Sequence, residues 1–83
     1  MKITTPSMLA AAIHDLRKQS KLTQAQTAEQ VGLRQATVSE FENNPESTKL
    51  ETLFKILASL ELELHVVKRG TNLSEGKVWN KEW

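Results

Sequence analysis

The chain has no cysteine. That removes disulfides, thiolate metal sites and cysteine nucleophiles, and it fits a protein of the reducing cytoplasm. Histidine is almost as scarce: His14 sits beside Asp15, His65 stands far away, and neither has a second histidine or a carboxylate at metal-ligand spacing. The three glycines form no phosphate-cradling loop. Glu40 and Glu42, two residues apart, fall on different faces of a helix, which argues against a general acid–base pair. Neither a signal peptide nor a membrane span is visible, because every apolar run is far too short. These absences predict a cytoplasmic protein that is not an enzyme, needs no metal or cofactor and has no membrane partner.

What is present concentrates between Thr23 and Glu42. Thr23 and Gln26 form a Thr-x-x-Gln capping box, so a helix starts at about Gln24. Thr27, Ala28 and Val31 lie on its inner side, and Gly32 supplies the left-handed backbone that ends it. Leu33 packs into the angle that follows. A second helix begins at about Gln35, with Val38 and Phe41 three apart on its buried side. Ala28 is small where two helices must cross closely, and a larger residue would push them apart. Two helix starts separated by one glycine have the spacing of a helix-turn-helix, whose second helix lies in the DNA major groove.

The rest of the chain extends this motif on both sides. Thr5 and Pro6 cap a first helix running to about Gln19, with Leu9, Ala12, Ile13 and Leu16 facing the core. Asn43 to Ser47 reads as a loop, and Thr48 as the cap of a fourth helix from about Lys49 to Ser59, where Leu50, Leu53, Phe54, Leu57 and Leu60 form an apolar stripe. At residue 62 the period changes. Leu62, Leu64 and Val66 alternate with polar residues in the pattern of a half-buried strand. A solitary strand in a helical domain leaves its backbone unpaired, so the economical arrangement pairs residues 62 to 68 across a dimer; the other arrangement folds them back on the fourth helix. Residues 1–69 form one small domain that dimerisation would help to stabilise. Residues 70–83 are polar, without periodicity, and read as a flexible tail. The tail holds both tryptophans, Trp79 and Trp83, which mark either a partner-binding segment or an inert terminus.

The formal net charge is only +1, a narrow margin for a nucleic-acid binder, so placement matters more than total. Arg17, Lys18, Lys21 and Arg34 cluster around the motif, while Glu46, Glu51, Glu61 and Glu63 lie beyond it. That division makes a phosphate-facing edge.

Gln24, Ala28, Gly32, Val38 and Glu42 occupy the defining positions of the lambda-repressor-like helix-turn-helix family, which this chain resembles. The resemblance implies an all-α bundle of four helices, here with one C-terminal strand pairing across a dimer. It also implies an ion pair between Arg17 and Glu42, tying the first helix to the end of the third. A narrower likeness spans nearly the whole chain. Residues 35–39 (Gln-Ala-Thr-Val-Ser), 41–45 (Phe-Glu-Asn-Asn-Pro), 54–57 (Phe-Lys-Ile-Leu), 59–62 (Ser-Leu-Glu-Leu) and the terminal Glu82-Trp83 resemble the HipB-like antitoxins of bacterial toxin–antitoxin systems. That likeness implies a homodimer that represses its own operon on palindromic operator DNA and binds a HipA-like serine/threonine kinase toxin. A stand-alone repressor, a restriction–modification controller protein, or a protein-binding module without DNA contact would use the same helices.

On this reading Arg34, Gln35, Ala36 and Glu40 reach base edges. Arg34 suits a guanine, Gln35 an adenine and the Ala36 methyl a thymine methyl, while Glu40 either accepts from a cytosine amino group or simply repels phosphate. Thr23, Gln24, Thr37, Ser39, Asn43 and Lys49 are the candidates for phosphate contacts. Leu62, Leu64 and Val66 are the expected dimer interface.

Overall fold

A computed structural model describes residues 2–70 of the chain. It is all-helical: α1 spans Pro6–Gln19, α2 Gln24–Gln30, α3 Gln35–Asn43 and α4 Leu50–Ser59, with a single 3-10 turn, Pro45–Ser47, before α4.

Local chemistry sets most of the boundaries. The Thr5 hydroxyl accepts from the Met8 amide at 3.1 Å, with Pro6 in the first helical position where its missing N–H costs nothing. Thr23 and Gln26 complete a reciprocal capping box at 3.0 and 2.9 Å. Three helices end alike. Lys21, Gly32 and Glu61 take positive φ values of 60°, 70° and 57°. The next amide in each case reaches back to the last turn: Leu22 to the Arg17 carbonyl at 3.2 Å, Leu33 to Ala28 at 2.9 Å and Leu62 to Leu57 at 2.8 Å. Each leucine is partly buried over the helix it closes, as the Schellman arrangement requires. Only Gly32 adopts this conformation without a steric penalty.

The core joins Ala10 and Ile13 of α1, Ala28 of α2, Val38 and Phe41 of α3, and Leu53, Ile56 and Leu57 of α4, with Leu9, Leu33, Leu60 and Leu62 packed against it. Ala28 and Val38 are among its most buried members, so α2 and α3 cross at a small side chain. That crossing fixes the angle of the motif.

Four expectations need correction. On α1 the buried face runs through Ala10, Ile13 and Arg17, while Leu16 is exposed and Ala12 half-buried; the helix is rotated so that an arginine, paired across the core edge, takes the inward position. On α4 the buried residues are Leu53, Ile56 and Leu57. Leu50 is 71% exposed and Phe54 is also exposed, because the apolar stripe is wider than the face the bundle covers. The cap of α4 is Lys49, not Thr48, and it makes no side-chain hydrogen bond; the 3-10 turn shifts the helix start by one residue. Finally, residues 62–68 form no strand among the described residues. A ladder needs a second strand, and the described residues offer none. Leu62 covers the core, whereas Leu64 is exposed and Val66 is 72% exposed. Residues 71–83, including Trp79, Trp83 and nearly all of the expected tail, lie outside the described residues.

Candidate nucleic-acid interface

Helix α3 opens with no side-chain cap: Arg34 is its N-cap, and its guanidinium bonds to none of the described groups of the helix end. Arg34, Gln35, Ala36 and Glu40 are all exposed. Arg34, Gln35 and Ala36 stand at the start of α3 and Glu40 follows one turn on, while Val38 and Phe41 are buried.

Behind that surface lies a polar cluster organised by Glu42, whose side chain is only 5% exposed. Arg17 donates to it twice, Nε to Oε2 at 2.7 Å and Nη2 to Oε1 at 3.0 Å, in the paired-fork geometry that suits a carboxylate. The third Arg17 bond runs from Nη1 to the Leu22 carbonyl at 2.8 Å, tying the end of α1 to the turn before α2. Glu42 Oε1 also lies 2.9 Å from His14 Nδ1 and accepts from Gln24 Nε2 at 3.0 Å. Burial pushes the Glu42 carboxyl up, but hydrogen bonds from Arg17, His14 and Gln24, with the Arg17 charge, outweigh it and bring the pKa from 4.5 down to about 2. The group is a permanent anion at neutral pH.

Permanent charge at Glu42 has a directional consequence. An ionised carboxylate only accepts, so Gln24 must turn its NH2 toward Glu42 and its carbonyl oxygen away. That oxygen accepts from Gln35 Nε2 at 2.6 Å. Gln35 is thereby held by one of its two N–H bonds, leaving its second N–H and its carbonyl oxygen for a ligand.

The other expected contacts are distributed more loosely. The Thr23 oxygen is committed to the α2 cap, and Asn43 Nδ2 bonds the Ser39 carbonyl at 2.9 Å and the Ser39 hydroxyl at 3.2 Å, so both side chains serve their own helices first. Thr37 and Ser39 are half-buried. Lys49 is exposed beyond the 3-10 turn, away from the Gln24–Gln35 pair in sequence and element. Lys18 and Lys21 line an open depression shared with Thr23, Gln24 and Gln35, which places cations beside the pair. Two features escape a reading of the sequence alone. His14 joins the Glu42 cluster across 28 residues, although its position one helical turn before Arg17 on α1 was a signal that the two share a face. The Gln24–Gln35 bond joins a phosphate candidate to a base-edge candidate. Among the described residues no group of histidines and carboxylates is arranged to hold a metal, and no helix is long and apolar enough to cross a membrane.

The Helix-turn-helix family matches residues 13–67, which covers α2, α3 and α4 with the end of α1. Antitoxin HipB of Escherichia coli (strain K12) is 51% identical over 99% of this chain and 94% of its own length. Two solved structures, "HipB-O4 20mer complex" and "Structure of HipA-HipB-O2-O3 complex", each superpose with a TM-score of 0.82 at 46% identity, covering 83% of this chain and 97% of the matched one. Shared motif, near-complete coverage and shared fold converge: the chain belongs to the helix-turn-helix family and, within it, to the HipB antitoxins.

Proposed function

We propose that this chain is a sequence-specific DNA-binding antitoxin that represses its own toxin–antitoxin operon as a homodimer on palindromic operators and binds a HipA-like kinase toxin. The observation that carries the proposal is 51% identity to a HipB antitoxin along 99% of the chain. Similar chains have been solved in a HipB-O4 20mer complex and in a HipA-HipB-O2-O3 complex, which supports both partners. The protein would act in the cytoplasm, where such an operator lies.

Base reading begins with Gln35. Adenine presents N7 as an acceptor and its amino group as a donor in the major groove, and the free N–H and carbonyl of Gln35 match that pair. Gln24 holds the amide in the matching direction before DNA arrives, so less side-chain freedom is lost on binding. Arg34 and Ala36 flank it at the mouth of α3, and Glu40, one turn on, is the fourth base-edge candidate. Lys18 and Lys21 line the adjoining depression with Thr23 and Gln24 as phosphate-facing groups, and Thr37, Ser39 and Asn43 of α3 and, beyond the 3-10 turn, Lys49 are the further phosphate candidates.

Dimerisation would come from residues 62–68. Leu64 and Val66 are exposed on a segment with free backbone groups, which a two-fold copy of the same segment would cover and pair in one step. Two α3 helices would then stand about one turn of DNA apart. Trp79 and Trp83 are the proposed contacts for the toxin, since tryptophan supplies large apolar area at partner surfaces.

Co-purification of the untagged protein from its native cell, followed by salt-titrated binding to the DNA upstream of its own gene, tests this reading. It predicts recovery of a kinase-fold partner together with binding that weakens steeply with salt. Recovery without a partner and with no salt-sensitive DNA binding would overturn it.

A further inference from the structure

We propose that His14 is a positioning residue for base readout: its ring carries a hydrogen on Nδ1, and by holding Glu42 Oε1 from the α1 side it keeps Gln24, and through Gln24 the amide of Gln35, aligned for the DNA. This rests on the base-reading role proposed for Gln35 above.

Three nitrogens converge on Glu42 Oε1: His14 Nδ1 at 2.9 Å, Arg17 Nη2 at 3.0 Å and Gln24 Nε2 at 3.0 Å. A carboxylate offers lone pairs alone, so each nitrogen has to present a hydrogen. Arg17 always does. Gln24 does in one of its two amide orientations, and His14 does only when Nδ1 is protonated. The other neutral tautomer would set a ring lone pair against a buried carboxylate oxygen at 2.9 Å. Arg17 Nη2, 3.4 Å away, could offer that lone pair its second N–H while the first stays on Oε1, but this longer contact leaves the lone pair facing the carboxylate oxygen at 2.9 Å unrelieved. Oε1 would keep Arg17 and Gln24, but repulsion from the ring would push it off the position in which Gln24 bonds it. The anchor of the Gln24–Gln35 pair therefore depends on which ring nitrogen of His14 holds the hydrogen. The His14 side chain is 44% exposed, against 7% for Arg17 and 5% for Glu42, so it is the point at which solvent meets the cluster. From that point a continuous hydrogen-bonded path, His14 to Glu42 to Gln24 to Gln35, reaches the mouth of α3.

The test compares His14→Phe, which keeps the ring and removes the donor, with His14→Asn, whose side-chain NH2 falls where Nδ1 was. Binding is measured by fluorescence anisotropy on a duplex from the DNA upstream of the chain's own gene, and on the same duplex with each base pair of a half-site replaced in turn. His14→Phe is expected to lower the discrimination at the base pair read by Gln35 by about three- to tenfold, the value of one net hydrogen bond, and His14→Asn to restore it to within about twofold. Nitrogen NMR of the wild-type ring, which depends on no variant folding, is expected to show the Nδ1–H form in the neutral ring. Unchanged discrimination in His14→Phe, equal weakening on every duplex without rescue by Asn, or an Nε2–H ring would each overturn the proposal. Gln35→Ala on the same duplexes separates the two layers. If it leaves discrimination intact, base reading by Gln35 is wrong and the role of His14 falls with it; if it removes discrimination while His14→Phe does not, only the role of His14 is wrong.

Discussion

Around Glu42, four N–H donors from two helices meet one carboxylate inside a single chain, whereas Leu50, Phe54, Leu64 and Val66 face outward with nothing among the described residues to cover them. The first region is closed: Arg17 and Glu42 are buried, charged and mutually satisfied, and their hydrogen bonds continue to the proposed base-reading edge. The second is open. Leu50, Phe54, Leu64 and Val66 would be costly as permanent surface in a domain this small, and an extended segment with unpaired backbone invites a partner strand. The contrast separates what one chain needs in order to present Gln35 from what two chains need in order to hold a palindrome.

Breaking the open region should have the largest effect. Leu64→Pro removes a ladder donor in the middle of the proposed pairing segment and should convert dimer to monomer in sedimentation. Loss of the second half-site should lower operator affinity by about 10²–10⁴-fold, since the linked binding of two heads supplies that much, with far less change on non-specific DNA. An intact dimer would put the interface elsewhere.

Breaking the closed region should act on stability before affinity. Glu42→Ala leaves the Arg17 guanidinium buried without its anion, at a cost of about 3–5 kcal/mol in chemical denaturation. A loss under about 1 kcal/mol would mean that water reaches the pair, as it does for surface bridges. The same group predicts the acid behaviour. Its folded pKa, about 2, lies below its ordinary 4.5, so its contribution is present above about pH 4.5 and is lost as pH falls toward 2. Glu42→Gln should flatten the stability profile across that window, and an unchanged profile would assign the acid sensitivity to other carboxylates.

Much of the closed region is legible in the sequence because its determinants are local. Thr5-Pro6, the Thr23–Gln26 box and Gly32 act within a few residues of the boundaries they set, so α1 and α2 start at their caps and α2 ends at its glycine. The Arg17–Glu42 pair follows from family likeness, not from local spacing. The His14 contact follows from neither, because a bond across 28 residues depends on how α1 is rotated, and that rotation followed Arg17 rather than Leu16. The open region is less legible for the same kind of reason. Hydrophobicity marks Leu50, Phe54, Leu64 and Val66 as needing cover but does not say whose, and an alternating pattern becomes a strand only when a second strand arrives.

Thr27 sharpens the contrast at small scale. Its hydroxyl is fully buried in α2 and has no hydrogen-bond partner among the described residues, an exception inside the otherwise satisfied half of the molecule. Thr27→Val keeps the shape and removes the unsatisfied oxygen, so it should stabilise the domain by about 1 kcal/mol in urea denaturation. A loss of stability would show that the hydroxyl has a partner after all.

The proposal that the closed region exists to aim Gln35 at a base is tested most directly by one pair of binding curves. Wild type and Gln35→Ala are titrated onto the upstream operator duplex and onto a scrambled duplex of equal length and charge. Base reading predicts that the variant loses about 1–3 kcal/mol on the operator while the scrambled duplex binds both proteins alike. Equal loss on both duplexes, or none on the operator, would contradict it.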